Sequence, residues 1–151
     1  MIKIIENSKD HLQDFIRLNE EWISHYFKIE ETDKKLAANP YQVVDNGGFL
    51  FFLISDNEVL GVCALFNEGD GVYELARMAV SPAHQGKSYS KHLMEHCLAK
   101  LKSIQAKKVY LVSNTKLEAA IHLYKKFEFQ TVSEGPHPIY SRANIVMERN
   151  V

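Results

Sequence analysis

The feature that most constrains the fold is a strand, a short loop and a helix that follow one another in the middle of the chain. The segment reads ELARMAVSPAHQGKSYSKHLMEHCLA and spans residues 74–99. Its apolar run stops at Ser81-Pro82, and an amphipathic helix begins after the loop. The first helical turn has N–H groups without intrahelical partners, and the helix dipole adds partial positive charge there. The loop of residues 85–90 therefore predicts a phosphate or pyrophosphate site.

Composition and charge describe an ordinary globular domain. A chain of 151 residues with a formal net charge of −1 is long enough to bury about two thirds of the surface that its unfolded form exposes. The near-neutral charge does not indicate a nucleic-acid surface, and no apolar run approaches the roughly 20 residues that cross a bilayer. The N-terminal residues lack the pattern of a signal peptide. We therefore expect a single domain over residues 1–151, cytoplasmic, with neither nucleic acid nor membrane as partner.

Metal binding and nucleotide hydrolysis are two alternatives with weaker motifs. Cys63 and Cys97 lie in apolar patterns, as reduced core thiols do. Residues 92–96 read HLMEH and match the HxxEH zinc pattern, but this helix face is predicted to be exposed and no third ligand is indicated. Gly86-Lys87-Ser88 matches only the end of a P-loop, because Ser81 stands at the position of its first glycine. We expect no metal.

Apolar periodicity and turn residues predict a mixed sheet with helices on its faces. Three apolar runs with short, turn-rich connections predict an antiparallel meander. On the helix after the loop, polar residues that include His96 and Lys100 are predicted to face solvent. The predicted strands are 2–5, 49–54, 59–66, 72–80, 109–112, 130–132 and 144–147, and the predicted helices are one capped by Ser8 that reaches residue 22, then 31–38, 89–104 and 117–126.

Four segments carry a family pattern: ELARMAVSP, QGKSYSKHLMEHCLAKL, KVYLVSN and AAIHLYKKFEF. In this order the chain closely resembles the GCN5-related N-acetyltransferase (GNAT) superfamily over nearly its whole length. The resemblance implies an α/β fold of the mixed α+β kind, with a mixed central sheet of about seven strands and four helices, splayed between the fourth and fifth strands. It also implies an enzyme, an acetyl-CoA-dependent N-acetyltransferase that moves acetyl to a primary amine by direct attack in a ternary complex.

The chain departs from this family at the loop. The family loop reads R/Q-x-x-G-x-G/A, and here Gln85 matches while Ser88 and Ser90 replace the two small residues. Glycine lets the backbone approach a pyrophosphate closely, so the serines crowd the loop unless their hydroxyls donate to phosphate oxygens. The departure leaves a second hypothesis open: a degenerate acetyltransferase fold that binds a ligand or partner without catalysis.

The resemblance implies which residues hold acetyl-CoA. The strand at residues 74–80 would pair with the pantetheine arm, and an amide of Met78 or Val80 would stabilise the oxyanion of the tetrahedral intermediate. Leu117 stands where the family often has asparagine, and Asn114 is the nearest substitute. The implied cofactor-binding residues are Met78, Ala79, Val80, Gln85, Gly86, Lys87, Ser88, Tyr89, Ser90 and Asn114.

Two side chains are implied to transfer protons. An ammonium is not a nucleophile, and Glu74, at the start of the splayed strand, is placed to take its proton directly or through water. Tyr124 occupies the family's position for protonating the departing CoA thiolate. Each has a structural alternative: Glu74 as an exposed charge at a strand end, and Tyr124 as a packing residue on an amphipathic helix.

The acceptor side is predicted at the end of the first helix and in a late loop. The implied substrate-binding residues are Trp22, Tyr26, Phe27, Tyr140 and Arg142, although aromatic residues there also suit a core. Arg142 would bind an acceptor carboxylate through two hydrogen bonds. The acceptor stays open between a small-molecule amine and a peptide amine. The oligomeric state also stays open, with a homodimer common among similar proteins.

Overall fold

The computed structural model describes residues 1–151 as a seven-stranded sheet with helices packed on both faces. The strands are β1 (Ile2–Glu6), β2 (Phe49–Ser55), β3 (Glu58–Gly69), β4 (Val72–Val80), β5 (Lys108–Ser113), β6 (Gln130–Glu134) and β7 (Ile145–Asn150). The helices are α1 (Leu12–Tyr26), α2 (Glu31–Ala38), α3 (Gln42–Asp45), α4 (Tyr89–Ser103) and α5 (Glu118–Lys126).

The mixed fold with seven strands is confirmed, but the molecule has five helices rather than four. The additional helix, α3, is a single turn of four residues, too short to show a helical period in the sequence. A 3-10 turn at Lys9–His11 precedes α1, and the Ser8 side chain makes no capping hydrogen bond, so the predicted cap is wrong. The longest helices, α1 and α4, have 15 residues each. Neither they nor any other helix has the length and apolar composition required to span a membrane.

The fourth and fifth strands separate after a short contact. The sheet order is β1-β2-β3-β4-β5-β7-β6, and all neighbours are antiparallel except β4 and β5. These two strands pair in parallel at only three positions, the last of which joins Glu74 to Tyr110. Residues 75–80 of β4 continue without β5 beside them. This divergence confirms the predicted splay and leaves a gap in the middle of the sheet, called here the β4–β5 gap.

The sheet divides the apolar interior into two clusters. Strand β2 is buried on both faces, which explains its continuous apolar sequence FLFFLI. Its alternate side chains Phe51 and Leu53 belong to a cluster of 16 buried residues under α4. Leu50 and Phe52 belong to a cluster of 10 buried residues under α1 and α3. The gap therefore opens in a sheet that is held firmly from both sides.

The prediction that His96 and Lys100 of α4 face solvent is wrong. The His96 ring lies edge-on to Phe51, with 5.1 Å between ring centroids. The Lys100 ammonium donates to Glu6 at 2.9 Å and covers the ring of Phe49. Both side chains are half-buried because β1 and β2 extend the sheet beneath this side of the helix. A helical period alone does not tell how far the sheet extends.

Candidate active site

The β4–β5 gap exposes backbone groups of β4. The Ser81 N–H donates to the Leu60 carbonyl of β3 at 2.8 Å, and Ala79 pairs with β3 in the same register. Because successive residues of a strand turn their backbone groups to opposite sides, the N–H groups of Met78 and Val80 point away from β3, toward the gap. The Ala79 N–H faces β3 instead, so this backbone amide is paired within the sheet, and the cofactor contact of Ala79 stays a prediction.

A bulge interrupts β4 directly before these amides. The β3–β4 register shifts between Val62 and Ala64, and on β4 Arg77 adopts a positive φ of 59°. A left-handed backbone at a residue with a side chain costs about 1–2 kcal/mol. Bulges of this kind turn the neighbouring groups and end regular pairing. The bulge thus sets the direction of the Met78 amide that follows it.

The loop between β4 and α4 has an open, anion-binding geometry. Gly86 has a φ of +84°, and apart from its two chain neighbours no residue has an atom within 4 Å of the place that a Cβ would take there. Lys87 and Ser88 are exposed, and α4 begins at Tyr89. The Ser88 side chain makes no capping hydrogen bond to the first turn of the helix. The N–H groups of that turn are therefore accessible to a pyrophosphate.

The two loop serines differ in backbone conformation. Ser88 is left-handed, with a φ of 64° and a ψ of 21°, in the region that favours glycine. Holding a side chain in this region costs about 1 kcal/mol. Ser90 lies inside the first turn of α4 and pays no such penalty. A small residue at position 88, as the family has, would thus avoid a backbone penalty. At position 90 a small residue would bring no such advantage.

One cavity of about 110 Å³ joins the β4–β5 gap to α1 and to the segment between β6 and β7. Both predicted proton-transfer residues, Glu74 and Tyr124, are in its wall, together with Met78. The wall consists of Asn19, Trp22, Ile23, Phe27, Glu74, Leu75, Ala76, Arg77, Met78, Leu111, Val112, Ser113, Asn114, Leu117, Tyr124, Tyr140, Arg142 and Ala143.

Glu74 is a buried carboxyl group in this wall, only 6% exposed. The Tyr110 hydroxyl donates to its Oε1 at 3.4 Å. Burial raises the pKa of Glu74 to about 7, and the Glu68 charge adds to this rise, while the Tyr110 hydrogen bond and the Arg77 charge oppose it. A carboxyl group that is half-ionised near neutral pH is suited to act as a general base. The alternative of an exposed charge at a strand end is wrong.

Tyr124 lines the cavity from α5. Its ring packs against the core under α4 and lies 6.2 Å from the ring of Phe129, centroid to centroid. Burial, with a smaller effect of Cys63, raises the pKa of Tyr124 to about 12. The phenol therefore stays protonated at neutral pH and has a proton to donate. The side chain combines the packing position with a place in the cavity wall, so packing and proton donation remain compatible.

The acceptor side of the cavity is aromatic. Trp22, Phe27 and Tyr140 are in the wall, and the Trp22 and Phe27 rings are 5.9 Å apart, centroid to centroid. Tyr26 is not in the wall and is 36% exposed, which departs from the prediction. Helix α1 ends at Tyr26, and the chain becomes extended at Phe27, so the turn carries Phe27 to the cavity instead.

Arg142 is already engaged by carboxylates of this chain. Its two terminal nitrogens donate to the two oxygens of Asp33 at 2.7 Å each, and one of them lies 3.4 Å from Glu30. Arg77 of the bulge donates to the same Asp33. Burial alone would raise the pKa of Asp33, but hydrogen bonds from Arg142, the Glu30 backbone and Arg77 outweigh burial and lower it. The predicted use of Arg142 for an acceptor carboxylate would require displacing Asp33.

Asn114 is in the wall, but its amide already has partners. Its Nδ2 donates to the Arg142 carbonyl at 2.9 Å, and its Oδ1 accepts from the Lys116 N–H at 2.9 Å. The side chain therefore fixes the segment that carries Arg142 against the end of β5. Its predicted contact with the cofactor stays a prediction that these hydrogen bonds do not support.

The sequence does not identify three residues of the site: Arg77, which is in the wall, and Asp33 and Tyr110, which hydrogen-bond to wall residues. Arg77 has one local signal, because it and Glu74 are the two charges in a strand of mostly apolar residues. Asp33 has the signal of a capping box, because its side chain accepts from the Glu30 N–H at 2.7 Å, but nothing in the sequence connects it to Arg142, 109 residues later. Their convergence depends on the fold.

Comparison with family models identifies one family. The profile of the Acetyltransferase (GNAT) family matches residues 14–129. Among proteins of curated function, none is significantly similar in sequence to this chain.

Three solved structures illustrate the structural similarity. A GNAT-family acetyltransferase from Staphylococcus aureus Mu50 superposes with a TM-score of 0.88 at 20% identity, covering 99% of both chains. A PaiA N-acetyltransferase from Thermoplasma acidophilum, in complex with coenzyme A, has a TM-score of 0.77 at 18% identity and covers 100% of this chain and 99% of its own. A phosphinothricin acetyltransferase from Sinorhizobium meliloti, in complex with AcCoA, has a TM-score of 0.81 at 13% identity and covers 99% of this chain and 88% of its own. At these identities the likeness concerns the fold.

Proposed function

This chain belongs to the GNAT family of acetyltransferases, and from that premise we propose that it is an N-acetyltransferase that moves the acetyl group of acetyl-CoA to a primary amine by direct attack in a ternary complex. The observation that carries the proposal is the position of Glu74. A buried carboxyl group with a pKa of about 7 faces the cavity into which the β4–β5 gap leads. A glutamate with only a structural role would gain no stability from burial that raises its pKa in this way.

The donor side fits acetyl-CoA in two places. The accessible first turn of α4, after Gly86 and Ser88, suits the pyrophosphate. The unpaired edge of β4 suits the amide-bearing pantetheine arm, which would lie in the gap as a strand does. Acetyl-CoA would supply an activated acyl group at the cavity end of this gap. Solved relatives in complex with CoA and AcCoA support this choice of donor.

Three groups of the chain would then act on the reacting atoms. Ionised Glu74 accepts a proton from the acceptor ammonium, directly or through water, so that the amine becomes a nucleophile. The N–H of Met78 or Val80 donates to the thioester carbonyl oxygen as negative charge develops there, an effect typically worth about 3 kcal/mol. As the carbon–sulfur bond breaks, Tyr124 donates its phenolic proton to the departing thiolate, whose pKa we take as about 8.5 from free thiols, and the proton that the nitrogen loses on becoming an amide restores the phenol.

The test is a comparison of ligands by thermal shift, followed by calorimetry. We expect acetyl-CoA and CoA to raise the melting temperature and ATP to leave it unchanged, because only a selective ligand stabilises by mass action. At a concentration of 100 times Kd the stabilisation is about 2.7 kcal/mol. Acetyl transfer to an amine panel, followed by CoA release, then tests the reaction itself.

The strained backbone of Ser88 favours one second candidate, a degenerate fold that binds a partner without catalysis. If folded protein shows no binding in calorimetry at millimolar acetyl-CoA, the acetyltransferase proposal is wrong and this candidate replaces it. Binding of acetyl-CoA without transfer to any amine would likewise favour the non-catalytic module.

A further inference from the structure

The two arginines in the cavity wall are already paired with carboxylates, and the Lys116 ammonium, which is outside the wall, lies 4.3 Å from the ring centroid of Phe27. Asp33 accepts from both terminal nitrogens of Arg142 at 2.7 Å and also from Arg77, and Glu30 lies 3.4 Å from Arg142. The side chains of Asp33 and Arg77 are buried. An incoming carboxylate would therefore have to displace an intramolecular carboxylate that is already held in a two-point pair.

A carboxylate beside the reacting amine would also lie close to Glu74. Glu74 is the buried carboxyl group in the same wall, and its neighbour Tyr110 offers it one hydrogen bond at 3.4 Å. Bringing a second negative charge into this cavity, whose wall has no unpaired cation, is costly, because charges interact strongly where water is excluded. The wall thus disfavours an acceptor whose amine carries an adjacent carboxylate.

The rest of the acceptor side is built to contact an apolar body. Trp22, Phe27 and Tyr140 contribute aromatic surface, with Ile23 beside them on α1. Aromatic rings stack on other rings and also attract an ammonium group on their faces. A primary amine on an aromatic body has both features that this wall can bind.

Resting on the acetyl transfer proposed above, we infer that the acceptor is an arylalkylamine, a primary amine attached through a short alkyl chain to an aromatic ring, without a carboxylate beside the nitrogen. The amine lies at Glu74 and the ring lies against Trp22 and Phe27. The pairing of Asp33 with Arg142 and Arg77, called here the Asp33 bridge, determines specificity. It leaves neither arginine free to bind an acceptor carboxylate.

The experiment compares three amines with the wild-type enzyme and acetyl-CoA: 2-phenylethylamine, phenylalanine and ethylamine. Phenylalanine adds only the carboxylate to 2-phenylethylamine, and ethylamine removes only the ring. We expect kcat/KM for 2-phenylethylamine to exceed both others by at least about tenfold. The amine of phenylalanine is less basic than that of 2-phenylethylamine, so free-amine supply cannot produce the expected order of these two. Ethylamine is more basic, so its kcat/KM is compared per concentration of free amine.

A variant on α2 tests the bridge itself. Asp33→Asn leaves Arg142 and Arg77 without their shared carboxylate. The ratio of kcat/KM for 2-phenylethylamine to kcat/KM for phenylalanine should therefore fall about tenfold. Glu31→Gln is the matched control, because this glutamate lies on the same helix, is 76% exposed and is not in the wall, and it should keep the wild-type ratio. If Asp33→Asn does not fold, Glu30→Gln releases Arg142 in part and should shift the ratio in the same direction.

The outcomes separate this inference from the proposed function. Transfer to phenylalanine at least as fast as to 2-phenylethylamine overturns it, as does equal use of ethylamine. Transfer to none of the three, while calorimetry shows acetyl-CoA binding, overturns the acceptor class and leaves acetyl transfer to be tested with other amines. Failure to bind acetyl-CoA at all overturns both.

Discussion

At the residue scale, the burial of Glu74 has a cost that depends on pH. Its pKa is about 7 in the fold and 4.5 when unperturbed. Well below pH 4.5 both the folded and the unfolded chain hold this proton, so ionisation adds no cost to burial. Between pH 4.5 and 7 only the unfolded chain releases the proton, so stability falls as pH rises. Above pH 7 the full penalty applies, up to about 3 kcal/mol.

Glu74→Gln should therefore stabilise the fold at pH 8 and leave it nearly unchanged at pH 4. The amide cannot ionise, so it avoids the penalty that the buried carboxylate meets. We expect a gain of about 1–3 kcal/mol at pH 8, measured by urea unfolding at both pH values. Glu58→Gln, an exposed residue of β3, is the control and should show no such pH dependence. An equal effect of Glu74→Gln at both pH values would contradict the raised pKa.

The two proton-transfer assignments make separate kinetic predictions. Glu74→Gln should lower the transfer rate about a hundredfold at neutral pH, and the deficit should shrink as rising pH supplies free amine. Tyr124→Phe should lower turnover chiefly below the thiol pKa, where the thiolate needs a proton. Affinity for CoA should stay near wild type in both. Profiles of rate against pH that coincide with wild type would show that both residues are structural.

The loop serines make a third prediction at this scale. Ser88→Gly places glycine where the backbone is left-handed, so the free energy of unfolding should stay the same or rise by up to about 1 kcal/mol. It should also tighten CoA binding. Ser90→Gly is the matched comparison: it places glycine within the first helical turn and should lower stability by about 0.5 kcal/mol. Thermal unfolding and calorimetry measure both effects. Weaker CoA binding by Ser88→Gly would show that the hydroxyl donates to a phosphate.

At the element scale, α2 is attached to the site by two carboxylates, Glu30 at its N-cap and Asp33 in its first turn, and Asp33 is the buried one. Asp33 is the contact through which α2 reaches both the β4 bulge and the segment before β7. Breaking a buried ion pair from one side leaves uncompensated charge and typically costs about 3–5 kcal/mol. The helix is only eight residues long, so it has little stability of its own.

Asp33→Ala should consequently loosen α2 before the rest of the molecule. We expect faster amide hydrogen exchange across α2, with the exchange of β2 changed only by the global loss of stability. Glu31→Gln again serves as the control on the same helix. Uniform acceleration over all elements would mean that α2 is not a separate opening unit.

The elements that the sequence predicts well are those with long apolar patterns. β2, β3 and β4 are strong runs punctuated by turn residues, and α4 shows a clear apolar stripe. The one-turn helix α3 has no period to detect, and the burial of His96 depends on how far β1 and β2 extend under α4. Such features depend on contacts between distant elements, which local patterns do not contain.

The same distinction holds for the site at the scale of the whole molecule. Glu74, Tyr124, Trp22, Phe27 and Tyr140 can be aligned to a family pattern, and the fold brings these five into one cavity wall. The engagement of Arg142 by Asp33 cannot be predicted in that way. This contact joins residues 109 positions apart. It changes the interpretation of Arg142 from a residue that binds the acceptor to a residue that stabilises the fold.

The two cores on opposite sides of the sheet predict how the whole molecule responds to cavities. Leu18→Ala opens the α1 side and Leu101→Ala opens the α4 side, and both residues are fully buried. Each change should cost about 2–5 kcal/mol. Because the sheet lies between them, the double variant should show the sum of the single effects within about 0.5 kcal/mol in urea unfolding. A coupling above about 1 kcal/mol would indicate that the sheet transmits strain between the cores.

The divergence of β4 from β5 also bears on how this protein avoids aggregation. Unpaired strand edges ordinarily invite pairing with other chains. Here the free edge of β4 is internal to the sheet order, because β5 follows β4 in the sheet and the two strands meet at residues 72–74. A neighbouring sheet cannot reach such a recess, whereas a single slender chain can thread into it. The protein can thus keep an open backbone edge for a ligand without offering it to another copy of itself.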